Sequence, residues 1–156
     1  MLKGLTLDAA LAVALFGNFV LFLSVVLLGL QVRNGARATL ASVYQAINDN
    51  MLQINHLFID RPSLRPYFYG EQELTDESPE ERQRIEATAE LFINFTDNVL
   101  TQMPLLPRNL AEPWRTYFAG VTTSSPVLRD FWKRRRETYS EEMRALMDPL
   151  TVRPEP

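Results

Sequence analysis

Ala9–Leu30, AALAVALFGNFVLFLSVVLLGL, is a run of 22 residues without a single charge. As a helix rising about 1.5 Å per residue it reaches about 33 Å, enough for the ~30 Å hydrocarbon core of a bilayer. The stretch therefore predicts one transmembrane helix at the N-terminus, and everything after it is polar, charged and helix-patterned. A cleaved secretory signal would carry an apolar region of about 7–15 residues ending in a small-residue cleavage site. Here the run is longer and leaves through Leu28-Gly29-Leu30-Gln31-Val32-Arg33, with no small-x-small pair at its end. A buried core helix would be shorter or show a polar stripe. An uncleaved anchor is the expectation.

The flanking charges set the expected orientation. Lys3 and the α-amine precede the span, offset locally by Asp8, while Arg33 and Arg37 follow it with no acid before Asp49. Because basic residues near a span determine topology and acids contribute little, the balance leans towards a domain in the cytoplasm. The absence of cysteine fits a reducing cytoplasm and fits a disulfide-free periplasmic domain equally. The net charge is −3, and setting aside Lys3 and Asp8 with the anchor leaves it unchanged. A slightly acidic domain lacks the strongly basic face that nucleic-acid binding needs.

Helix punctuation divides the remainder. Asn34-Gly35 can end the membrane helix or merely weaken it. From Ala36 a period of three to four begins at Leu40, Val43, Tyr44, Ile47, Met51, Ile54, Leu57 and Phe58, and stops at Asp60-Arg61-Pro62. This predicts a long amphipathic helix, continuous or nearly so with the span. Residues 61–77 read as irregular. Ser78-Pro79 with Glu81 is a capping box opening a helix whose stripe is Ile85, Ala89, Leu91, Phe92, Phe95, Val99 and Met103. Asn109 with Glu112 offers a second box, with Pro113 at the edge of what a first turn tolerates. Ser125-Pro126 and Ser140-Glu141-Glu142 open two more helices, the last stopped by Pro149. No run alternates with period two. The expected fold is all-α: one N-terminal transmembrane helix followed by an irregular bundle of about four or five helices. The expected organisation is a flank over 1–8, the anchor over 9–30, a helical domain over 31–148 and a flexible tail over 149–156.

Two segments, LFIDRPSLRPYFY (57–69) and SPVLRDFWKRRRETYSEEMRALMD (125–148), stand out together with LASVYQAINDN (40–50) and WRTYF (114–118). As a set they resemble bacterial families of small, single-span, membrane-anchored helical proteins classed as domains of unknown function. In those families segments like hRPxLRPYFY and SPxhRxFWxxxxxxYSxEh recur (h, apolar). The resemblance covers nearly all of the chain after the anchor. It implies the fold and a cytoplasmic domain on the bacterial inner membrane. It implies no activity, and it transfers no functional residue.

Candidate sites are few. His56 has Asp60 four residues on, the spacing of a helix face, and such a pair can orient a general base. The chain has no cysteine and no serine in a nucleophile-type context for that base to activate, so a structural histidine is expected. One histidine with scattered carboxylates gives no metal-ligand spacing. No catalytic residue, metal or cofactor is expected. Arg61, Arg65, Tyr67 and Tyr69 form the densest local signal, RPSLRPYFY. Guanidinium forks flanked by aromatics can hold a carboxylate or phosphate. In the plainer reading the prolines set a tight turn, the aromatics plug the bundle, and the arginines pair with Glu86 or Glu90. Lys133-Arg134-Arg135-Arg136 points all around a helix and is expected to pair with Asp130, Glu137 and the acidic segment. Trp114, Tyr117, Phe118, Phe131, Trp132 and Tyr139 suit an aromatic core before an apolar pocket.

Within the span Asn18 is the informative residue. A carboxamide near mid-bilayer is unfavourable against lipid and seeks a partner helix. Ala10, Ala14, Gly17 and Ser24 lie near its face and permit close approach. The expected function is a non-enzymatic membrane-anchored interaction module, an accessory or scaffold subunit. Its partners would be the membrane and, through the anchor, another membrane protein or its own copy, with no nucleic acid and no identified small-molecule substrate. The alternative is a membrane-tethered sensory or ligand-binding domain that uses the Arg61–Tyr69 turn.

Overall fold

A computed structural model describes the backbone of residues 2–151 and the side chains of residues 11–151. Among the described residues there is no strand, and the chain is built of six α-helices. They are α1 (Leu2–Asp60), α2 (Arg65–Tyr69), α3 (Pro79–Gln102), α4 (Arg108–Ser124), α5 (Pro126–Arg135) and α6 (Glu141–Thr151), with short 3-10 turns between some of them. The all-α expectation holds. The chain divides into two compact units, Met1–Ser42 and Val43–Pro156.

In the first unit α1 carries the apolar stretch, and every described side chain from Leu11 to Thr39 is exposed. This helix is long and apolar enough to cross a membrane. Asn34-Gly35 neither ends nor interrupts it. The nearby Thr39 hydroxyl donates to the Gly35 carbonyl at 3.0 Å, a bond that leaves the helical backbone intact.

In the second unit the core is aromatic and methionine-rich. Along α3, Phe92 meets Phe68 of α2 and Tyr117 and Phe118 of α4, while Phe95 meets Trp114 and Phe118. Edge and tilted ring contacts of this kind add to the area each ring removes from water. Among the described residues of α1, Ile47, Ile54 and Phe58 are the buried ones, which narrows the expected stripe: Tyr44 is exposed, and Met51 and Leu57 are half-buried. On α3 the stripe is buried as expected except for Leu91. Helices α5 and α6 pack on α3 and on each other through Leu128, Trp132, Met143 and Met147, all without exposed surface.

Caps explain most of the boundaries. Ser78 accepts from the Glu81 N–H at 3.3 Å, but the Glu81 carboxylate bonds Arg84 rather than completing the box. Ser140 accepts from the Met143 N–H at 3.1 Å. The predicted Asn109/Glu112 box does not form. Helix α4 starts two residues earlier, at Arg108, with Pro107 in the N-cap position. Its fixed φ of −55° with ψ 145° supplies the extended geometry a cap needs, and its carbonyl takes the Leu110 and Ala111 N–H groups. Pro113 then lies inside the helix, where the carbonyl it leaves unbonded belongs to exposed Asn109 and can be hydrated.

Pro149 likewise fails to stop α6, which runs on to Thr151, so the predicted tail does not begin at 149. The carbonyl left without a donor is that of exposed Ala145. Residues 152–156 of that tail lie outside the described residues.

The turn after α2 is sharp. Gly70 closes the helix by donating to the Pro66 carbonyl at 2.9 Å, and Gln72 donates to the same oxygen at 3.2 Å. A Cβ at Gly70 would stand 3.0 Å from that oxygen and 3.1 Å from the Pro66 Cα, so the close approach requires glycine. The left-handed residue is its neighbour, Glu71, at φ 59°.

Candidate functional site

Ser125 connects the candidate turn to the rest of the bundle. Its hydroxyl, fully buried, accepts from the Leu128 N–H at 3.1 Å as the cap of α5. The same hydroxyl donates to the Tyr67 carbonyl at 2.7 Å. Helix α2 has only five residues and would not persist alone, so this anchor and the burial of Leu64, Tyr67 and Phe68 position it.

The four residues singled out in the turn do not converge. The Tyr67 hydroxyl points away and donates to Glu77 Oε1 at 2.6 Å. That bond, then burial, then the Glu77 charge push the phenol up to about 12, and the bond holds the Glu77 carboxyl below the usual carboxylate range. Arg61 is exposed and has no ion pair among the described residues. Arg65 and Tyr69 do belong together: the guanidinium carbon sits 5.5 Å from the centre of the Tyr69 ring. Neither arginine reaches Glu86 or Glu90. Glu86 instead accepts from both terminal nitrogens of Arg134 at 3.1 Å, which corrects the pairing expected from sequence.

Arg65 and Tyr69 face a groove of about 560 Å³. Tyr117 closes its inner end, its hydroxyl 2.6 Å from that of Tyr69 and 3.9 Å from Met51 Sδ. Burial chiefly, then the bond with Tyr69, keep the Tyr117 phenol well above the ordinary tyrosine range. The facing wall is the last turns of α1, where Leu52 and Ile59 expose apolar surface beside Asn55 and His56. His56 is an exposed residue of that wall. It makes no bond to Asp60 among the described residues, so the pair that would orient a general base is not assembled.

The basic run behaves as expected. Lys133 approaches Asp130 at 3.5 Å, and Arg136 reaches Glu137 at 3.6 Å and Asp148 at 3.1 Å. The aromatic residues of the last third are core or half-buried, with Trp132 and Tyr139 at 5.5 Å from each other. Only Tyr117 of that group opens onto the groove.

In the span, Asn18 is exposed, and its carboxamide has no hydrogen-bond partner among the described residues. At 100° per residue Ala14 lies 40° from it, and Gly17 and Ser24 lie about 100° and 120° round in the same sense. The arc also holds Leu21, so the face is mixed rather than uniformly small. The Ser24 hydroxyl donates to the Val20 carbonyl at 2.8 Å, which spends its proton inside its own helix. The Ala10 side chain lies outside the described residues. The chain matches no family model, and no curated protein or solved structure is similar to it.

Proposed function

We propose that the chain is a membrane-anchored helical interaction module, an accessory or scaffold subunit that binds rather than transforms its partner. In this reading α1 crosses the bacterial inner membrane once, with the second unit in the cytoplasm, and the chain belongs with the single-span helical families its motifs resemble. The observation that carries the reading is Asn18: an exposed carboxamide in the middle of the apolar run, with no hydrogen-bond partner among the described residues. An aliphatic side chain there would hold the span in lipid at least as well. Lipid tails are as apolar as leucine, so packing against Ala14 and Gly17 and a hydrogen bond from Asn18 are what would draw a second helix. The second helix comes from another membrane protein or a second copy of the chain.

The test is Asn18→Leu. Insertion should be unaffected, and association, read by energy transfer between labelled chains and by mild-detergent co-purification, should weaken by up to about 1–2 kcal/mol, or five- to thirtyfold. An unchanged oligomer state together with an unchanged set of co-purifying proteins refutes the assembly role. Orientation has its own check. A reporter active only in the periplasm, fused at the C-terminus, should stay silent, and a clear signal reverses the topology.

A further inference from the structure

We infer that the groove between α1, α2 and α4 of the second unit binds a small amphiphilic anion: a carboxylate or phosphate monoester on a short apolar tail. The inference does not depend on how the anchor assembles. It comes from two tyrosine hydroxyls and one arginine that face the same space.

Consider the protons of the tyrosine pair. The two hydroxyls lie 2.6 Å apart, so one donates to the other. If Tyr69 donates to Tyr117, the Tyr117 proton has only Met51 Sδ at 3.9 Å, a weak acceptor at long range. If Tyr117 donates to Tyr69, the Tyr69 proton is left to point into the groove. An anion placed there selects the second arrangement. The chain Tyr117 to Tyr69 to anion then polarises along its length, and the outer bond is strengthened by the inner one. Without a ligand the pair is under-used, and with an oxyanion each proton has a strong acceptor.

Arg65 supplies the charge. It stands over the Tyr69 ring, exposed, with no carboxylate in ion-pair range among the described residues. Its planar fork suits a carboxylate or phosphate. His56 adds a ring nitrogen on the facing wall, and Asn55 an amide. The exposed apolar surface of Leu52 and Ile59 beside them is where a tail would lie. A volume of about 560 Å³ falls within the range of small-ligand sites, which combine apolar walls with a few convergent polar groups. Other grooves on the unit are built differently. The one beside Arg134 already contains its own counter-ion, Glu86, so an anion there would first have to break that pair. The one between Asn50, Gln53, Asn94 and Asn98 is neutral.

The experiment uses the full chain in discs of zwitterionic lipid, with the methionine methyl groups labelled with carbon-13. Met51 lines the groove, while Met143 and Met147 are wholly buried elsewhere and report that the fold is intact. Hexanoate and hexyl phosphate should shift the Met51 signal saturably and leave Met143 and Met147 in place. Arg65→Gln should weaken that binding roughly tenfold or more, and Tyr69→Phe roughly three- to tenfold. Hexanol, the uncharged analogue, should bind at least roughly tenfold more weakly than hexanoate. Discs containing anionic phospholipid then identify the source: competition with hexanoate assigns the site to a lipid headgroup, and its absence assigns it to a soluble anion. No saturable shift of Met51, or binding that hexanol and the Arg65→Gln chain match, overturns the inference.

Discussion

Ser125→Ala removes one oxygen that serves two elements. The hydroxyl is fully buried, accepts from the Leu128 N–H at 3.1 Å and donates to the Tyr67 carbonyl at 2.7 Å. Losing the cap costs about 1 kcal/mol. The Tyr67 carbonyl is then left without its donor in a place water does not reach, which costs a further 1–3 kcal/mol or so. The sum is about 2–4 kcal/mol. For a unit of this size a melting temperature moves by roughly 4 °C per kcal/mol, so a drop of about 8–16 °C is expected. Ser78→Ala is the internal comparison. Ser78 is exposed and makes only the capping bond, at 3.3 Å, so it should cost about 0.5–1 kcal/mol and about 2–4 °C. The assay is thermal unfolding of the full chain in a non-ionic micelle, followed by the fluorescence of its two tryptophans, half-buried Trp114 and buried Trp132. If the two substitutions lower the midpoint equally, the second bond of Ser125 contributes nothing and the reasoning fails.

Other expectations follow from the same geometry. Tyr67→Phe should cost most at intermediate pH: the depressed Glu77 stabilises above about 4.5 and loses this as pH falls, while the raised Tyr67 stabilises below 10 and loses this as pH climbs towards about 12. Melting curves of both chains across that range should converge at the two ends, and a constant gap would contradict the assignment. Gly70→Ala should destabilise by about 1–3 kcal/mol because the new methyl meets the Pro66 carbonyl at 3.0 Å. Glu71→Gly, one residue on, should stabilise by about 0.5–1 kcal/mol by relieving the left-handed conformation, and chemical denaturation of the pair tests the opposite signs. Trp132→Phe should cost about 2–4 kcal/mol, since it leaves a cavity and removes the 2.8 Å bond from the indole N–H to Asp148.

The fold is legible in the sequence where a local rule is strong enough to act alone. The uncharged run from Ala9, the caps Ser78, Ser125 and Ser140, and the period of α3 all express short-range physics, and α1, α3, α5 and α6 follow from them, whereas α2 forms inside the stretch 61–77 that reads as irregular. The stop expected at Pro149 does not occur. Pro113 and Pro149 sit within helices because the carbonyls they leave without donors are on exposed residues and can be hydrated. The candidate turn was legible as a set of residue types but not as a geometry. Whether Tyr67 and Tyr69 face the same way depends on a five-residue helix, and its orientation is set by Ser125, 58 residues distant. The Tyr117 ring reads as core, and His56 reads as structural for want of a nucleophile. Nothing local in either neighbourhood reveals that they share a groove with Arg65.

The carboxylate of Asp148 makes α6 a cover as well as a helix. One oxygen receives the Trp132 indole at 2.8 Å and the other receives Arg136 at 3.1 Å, so α6 is fastened near its far end rather than fraying from it. Trp132 is the largest side chain the fold hides completely, and Leu128 beside it on α5 is hidden as fully. Detachment of α6 alone would therefore turn the most deeply hidden aromatic surface of the protein outward, and the two bonds to one carboxylate are what hold that cover shut.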